Sequence, residues 1–67
     1  MALTLKAARV NAGMSQIEAA HQLGITDQTL RDYEKGKRFP TVPMIKKIED
    51  LYGVPFGDII FLPDSTV

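Results

Sequence analysis

Apolar residues recur at helical spacing in four stretches of this 67-residue chain, and each stretch opens on a hydroxyl side chain and closes on a glycine. Thr4 precedes Leu5, Ala8 and Ala12, and Gly13 follows. Ser15 precedes Ala19, Ala20 and Leu23, and Gly24 follows. Thr26 precedes Leu30 and Tyr33, and Gly36 follows. Thr41 precedes Met44, Ile45, Ile48, Leu51 and Tyr52, and Gly53 follows, with Pro43 tolerated in the first helical turn. A Ser or Thr oxygen accepts a bond from the unpaired N–H groups of a helix start, and glycine enters the left-handed conformation that ends one. The pattern therefore predicts four short amphipathic helices. After Gly53, Val54-Pro55 leads to one further turn or two with Phe56, Ile59 and Ile60 apolar.

The second and third stretches form a unit. Ser15 and Glu18 have the spacing of a capping box, in which side chain and backbone exchange bonds across the first turn. Met14 stands where a hydrophobic staple would start. Gly24 stops the helix, Ile25 plugs the angle, and Thr26 starts the next helix almost at once. Two helices joined by such a turn are the helix-turn-helix pattern, and the small Ala20 sits where the two axes cross. With Leu30 and Tyr33 turned inward, Asp27, Gln28, Arg31 and Asp32 share an outer surface on the second helix. Gln and Arg are the usual readers of adenine and guanine, and a carboxylate accepts from cytosine. Thr26, Asp27, Gln28, Arg31 and Asp32 are thus the candidates for contacts at base edges. Asp27 and Asp32 repel phosphate, so each must read a base donor, bond Arg31, or stay out of the groove.

Lys35-Gly36-Lys37-Arg38-Phe39-Pro40 reads as a loop, with Pro40 holding Phe39 extended and the Phe39 ring expected on the core. Lys35, Lys37 and Arg38 stay outside, where phosphates would lie if the preceding helix entered a major groove. Near the end, Ile59 to Leu62 is an apolar run larger than one small core needs, and such patches mark partner surfaces. Pro63 forbids helix beyond it, which leaves residues 63–67 as a short irregular tail after a domain of residues 1–62.

Net charge is zero, from eight basic and eight acidic side chains, where a nucleic-acid binder is expected to be basic. The distribution changes that picture. Arg31, Lys35, Lys37, Arg38, Lys46 and Lys47 crowd residues 31–47 against Asp32 and Glu34, while residues 48–67 carry Glu49, Asp50, Asp58 and Asp64 and no base. A phosphate backbone responds to local potential, and here it is polarised. There is no Cys and one His, His21, whose sequence neighbours offer no ligand set. With no Gly-rich phosphate loop and no carboxylate or metal-ligand cluster, the sequence predicts no catalytic residue, no metal, no cofactor and no enzyme. No apolar run reaches membrane length and no secretory signal precedes the first helix, so the expected place is the cytoplasm.

Ser15-Gln16, the Ala20…Gly24 spacing, Tyr33-Glu34-Lys35-Gly36-Lys37-Arg38, Leu5-x-x-x-Arg9 and the Gly53-Val54 helix ending together resemble the Cro and phage-repressor family of helix-turn-helix proteins, over about residues 3–61. The resemblance implies an all-α, five-helix domain that binds double-stranded DNA as a transcriptional repressor or regulator. It implies that Gln16 bonds a phosphate at the start of the first motif helix. It implies that Arg9 and Glu34 form a partly buried pair fixing the angle between helices. The chain departs from the family at Ala19, usually a larger aliphatic residue, and at Ile17, usually polar; Phe39 or Tyr52 is expected to fill the space. Sites in this class join two half-sites, so a homodimer on a palindromic operator is expected, closed through Phe56, Ile59, Ile60, Phe61 and Leu62. The alternative is a protein-binding module of the same fold, an antitoxin or a modulator of another repressor.

Overall fold

The computed structural model describes residues 3–61. In chain order it has a short strand β1 (Leu3–Thr4), helices α1 (Leu5–Asn11), α2 (Gln16–Leu23), α3 (Asp27–Lys35) and α4 (Val42–Tyr52), a 3₁₀ turn (Phe56–Asp58) and a second short strand β2 (Ile59–Ile60). Every α-helix starts on a side-chain cap. Thr4 Oγ1 accepts from the Ala7 N–H at 3.0 Å, Ser15 Oγ from Glu18 at 3.1 Å, Thr26 Oγ1 from Thr29 at 3.1 Å, and Thr41 Oγ1 from Met44 at 3.4 Å. Glu18 Oε1 completes the box by accepting the Ser15 N–H at 2.9 Å. These helices run 7 to 11 residues, shorter than the roughly 12–15 at which an isolated helix holds itself in water. Caps and packing must therefore do the work, and one cap of this kind contributes about 1 kcal/mol.

One core serves all four helices. Its largest fully buried side chains are Leu5, Leu23, Leu30 and Ile48, one from each. Ala8, Ala19, Ala20, Tyr33, Tyr52 and Ile59 fill the remainder, with Met14, Ile25, Met44 and Leu51 packed around it. Ala19 and Ala20 are both sealed, so α2 packs on its neighbours through two small side chains and Leu23. Ala19 is sealed in the same buried cluster as Tyr52, whereas Ile17 is 70% exposed on the outer side of α2.

The expected fifth helix is absent from the described residues. After Gly53 the chain makes a single 3₁₀ turn with no side-chain cap, then extends, and Ile59 and Ile60 pair in parallel with Leu3 and Thr4. β-branched Ile59 and Ile60 suit extended backbone, and the N-terminal residues ahead of α1 supply a partner for it. Two further expectations are corrected. Phe39 is 63% exposed instead of lying on the core; Pro40 is the loop residue that goes inside. The Phe39 ring lies against Phe61, centroids 5.0 Å apart, and Phe61 lies 5.5 Å from Phe56. Ala12 is exposed because α1 ends at Asn11 and Ala12 is its cap, with the chain reversing at Gly13 (φ 77°). Leu62 and the 63–67 tail lie outside the described residues.

Candidate nucleic-acid interface

Helix α3 has two faces of opposite character. Leu30 and Tyr33 are buried, and the capping residue Thr26 with Asp27 and Gln28 is exposed, while Arg31 and Asp32 are half-buried. The structure brings four of the five candidate base-edge residues into one chain of contacts. Arg31 Nη2 donates to Asp27 Oδ2 at 3.1 Å and Arg31 Nη1 to Gln28 Oε1 at 2.8 Å. Gln28 Nε2 in turn donates to Asp32 Oδ1 at 3.0 Å. Both acidic side chains are thus held by the polar residues beside them. The fifth candidate, Thr26, is occupied with the cap, and its hydroxyl also meets that of Thr29 at 2.9 Å. Thr29 was not singled out by sequence; its three-residue spacing from the Thr26 cap is the signal that would have found it.

Behind this surface lies a second polar cluster, nearly closed to solvent. Arg9 Nε donates to Glu34 Oε2 at 2.7 Å, with the two side chains 9% and 5% exposed. Arg9 Nη2 reaches Glu34 Oε1 at 3.4 Å, and Arg9 Nη1 donates to the Met14 carbonyl at 2.8 Å. Gln16, the first residue of α2, donates its side-chain Nε2 to Glu34 Oε1 at 3.0 Å. One carboxylate therefore gathers α1, α2 and the end of α3. The Met14 carbonyl had no sequence signature, since any residue supplies that acceptor. Tyr52 completes the surroundings. Burial pushes its hydroxyl pKa up to about 12; the negative charge of Glu34 adds to the rise and the positive charge of Arg9 opposes it.

At the far end of α3 the chain folds back on the helix. Gly36 takes a left-handed turn (φ 80°), and the N–H groups of Lys37 and Arg38 both point at the Asp32 carbonyl, at 2.9 and 3.4 Å. This keeps Lys35, Lys37 and Arg38 beside the helix with their side chains exposed, and among the described residues none of the three forms an ion pair. At the start of α2 the Glu18 carboxyl is held below the usual glutamate range by the Ser15 N–H and then the Ser15 hydroxyl. Of the apolar residues near the C-terminal end, Ile59 is buried, Phe61 half-buried, and Phe56 and Ile60 are 40% and 42% exposed. Phe39 joins them through Phe61, which the sequence reading had not brought to that surface. No described helix is long and apolar enough to cross a membrane.

Residues 5–59 match the family model described as helix-turn-helix. The chain is 33% identical over 52 residues to the cryptic phage CTXphi transcriptional repressor RstR of Vibrio cholerae, covering 78% of this chain and 47% of that protein. It is 42% identical over 50 residues to the HTH-type transcriptional regulator ImmR of Bacillus subtilis strain 168, covering 75% of this chain and 39% of that protein. An uncharacterised HTH-type transcriptional regulator of Methanocaldococcus jannaschii is 35% identical over 61 residues, 91% of this chain and 92% of its own length. The matched region thus spans less than half of the first two relatives and nearly all of the third. No solved structure matches the chain. With the capped two-helix unit, its flanking helices and the buried Arg9–Glu34 contact all inside the matched region, the chain belongs to the Cro and phage-repressor, or XRE-type, family of helix-turn-helix DNA-binding proteins.

Proposed function

We propose that this chain binds double-stranded DNA sequence-specifically and acts as a transcriptional repressor or regulator, without enzymatic activity or cofactor, in the cytoplasm. The observation that carries the reading is the outer surface of α3, where Asp27, Gln28, Arg31 and Asp32 are linked into one polar row that is exposed at Asp27 and Gln28 and half-buried at Arg31 and Asp32. In this mode α3 enters the major groove with its N-terminal residues toward base edges, and α2 crosses the backbone. Thr26, Asp27, Gln28, Arg31 and Asp32 face the bases, while Gln16, Lys35, Lys37 and Arg38 bond phosphates. The zero net charge is no obstacle, because Lys35, Lys37 and Arg38, none of them in an ion pair among the described residues, lie together at the end of α3. Relatives named as a repressor and as regulators support the regulatory role.

A single α3 reads only a few base pairs, so we propose a homodimer on a palindromic operator with half-sites about 34 Å apart. The joining surface runs through Phe56, Ile60 and Phe61, with Ile59 supporting it from the core; Leu62 falls outside the described residues, and the Phe39 ring extends the same patch. Changing Ile60 to Asp should leave helical content intact and yield a monomer in sedimentation at micromolar concentration. A variant that stays dimeric moves the interface elsewhere. The function itself is tested by selecting bound sequences from a random duplex pool. An enriched palindrome supports both recognition and two-fold symmetry. No enrichment, with binding insensitive to salt, turns the reading to a protein-binding role.

A further inference from the structure

Gln16 is asked to do two things with one amide. In the free chain its Nε2 donates to Glu34 Oε1 at 3.0 Å. As a phosphate ligand, the role proposed above and on which this inference rests, that amide must turn toward a second anion. Holding both at once would set a phosphate one hydrogen-bond bridge away from a carboxylate. If the amide leaves, Glu34 Oε1 keeps only Arg9 Nη2 at 3.4 Å. A carboxylate that is 5% exposed has little access to water, and an underused buried acceptor is costly. The replacement donor must come from inside.

The interior holds one. The Tyr52 hydroxyl is the one buried side-chain polar atom without a hydrogen-bond partner among the described residues. It lies within range of the charges of both Glu34 and Arg9, and it keeps its proton at any ordinary pH. It is therefore a buried donor without an acceptor, in the same region as an acceptor about to lose a donor. We propose that Tyr52 is a positioning residue for DNA binding: its hydroxyl donates to Glu34 when Gln16 turns to the phosphate, and so sets how readily Gln16 is released.

The test is a double-mutant cycle with Gln16→Ala, Tyr52→Phe and the pair, titrated against random duplex at low salt, where phosphate contacts dominate. Gln16→Ala should weaken binding. Tyr52→Phe should weaken it by about three- to tenfold, the worth of one hydrogen bond, while leaving the thermal midpoint unchanged or raised because an unpartnered hydroxyl is gone. In the Gln16→Ala background, Tyr52→Phe should have no effect on affinity. Equal loss in both backgrounds, or no loss beside a weakened Gln16→Ala, overturns the proposal; the second result means that Gln16 bridges both anions. If Gln16→Ala binds as well as the parent chain, Gln16 is not a phosphate ligand, and that reading falls first, taking this inference with it. In the unmutated protein, the Tyr52 hydroxyl proton should become slow to exchange on binding duplex, and unchanged exchange counts against the proposal.

Discussion

Helix α3 carries two polar clusters built from nearly the same parts, an arginine, a glutamine and carboxylates, and solvent makes them different objects. The Arg9–Glu34 contact closes at 2.7 Å with side chains 9% and 5% exposed, and joins residues 25 positions apart on two different helices. The Arg31–Asp27 contact closes at 3.1 Å with side chains 39% and 49% exposed, within a single helix turn. In the first, water cannot replace a lost partner, so removing one residue strands a charge. In the second, water is always at hand, and such a pair contributes little to folding. That low value is useful. In the proposed complex, side chains that are cheaply parted from each other would be free to exchange partners on a DNA surface, while the sealed cluster behind them would hold the helix still.

The sharpest way to break this contrast is at the sealed end. Arg9→Ala and Glu34→Ala should each cost about 3–5 kcal/mol of stability, and the double variant less than their sum. Strict additivity in denaturant melts would remove the coupling and with it the claim that this cluster fixes the helix angle. The exposed end is tested by function. Gln28→Ala should cost about 1–3 kcal/mol on a selected operator and little on random duplex. Equal losses on both would exclude Gln28 from base reading. The smallest effect is the most direct check on solvent as the cause: the Asp27–Arg31 coupling, from a cycle of alanine variants in thermal melts, should be no more than about 0.5 kcal/mol. A coupling of several kcal/mol would mean that the outer cluster is a structural feature in its own right.

The helix starts were legible because a cap leaves a local signature. Thr4, Ser15, Thr26 and Thr41 each announce a helix within four residues, and all four cap one. The helix-turn-helix was legible for the same reason, its Gly24 turn and Thr26 cap being adjacent. What failed was non-local. Nothing near Ile59 and Ile60 says that Leu3 and Thr4, at the opposite end of the chain, will offer them a strand, so a fifth helix was the natural expectation. Phe39 and Pro40 are neighbours, and hydropathy favours burying the ring; which of them turns inward depends on how the loop folds back onto Asp32. At the candidate site, residue identities along α3 were readable, but their pairing with one another was not, because Gln28 has acceptors and donors on both sides. Gln16 and Glu34 were each legible by resemblance; the bond between them depends on how α2 sits against α3.

The pairing of Leu3–Thr4 with Ile59–Ile60 has a consequence for the order in which the molecule comes together and apart. It joins opposite ends of the chain, and closing a loop of that length costs roughly 3–4 kcal/mol of chain entropy. Two residues per strand do not return that much by themselves. The clasp can close only after the helices have condensed and brought the ends near each other. It should therefore close late in folding and fray before the helices do. Amide exchange at Ile59 and Ile60 should report openings far smaller than global unfolding. Phe61, one residue past the clasp, rests against both Phe39 and Phe56, so fraying there loosens the apolar patch while leaving α3 in place.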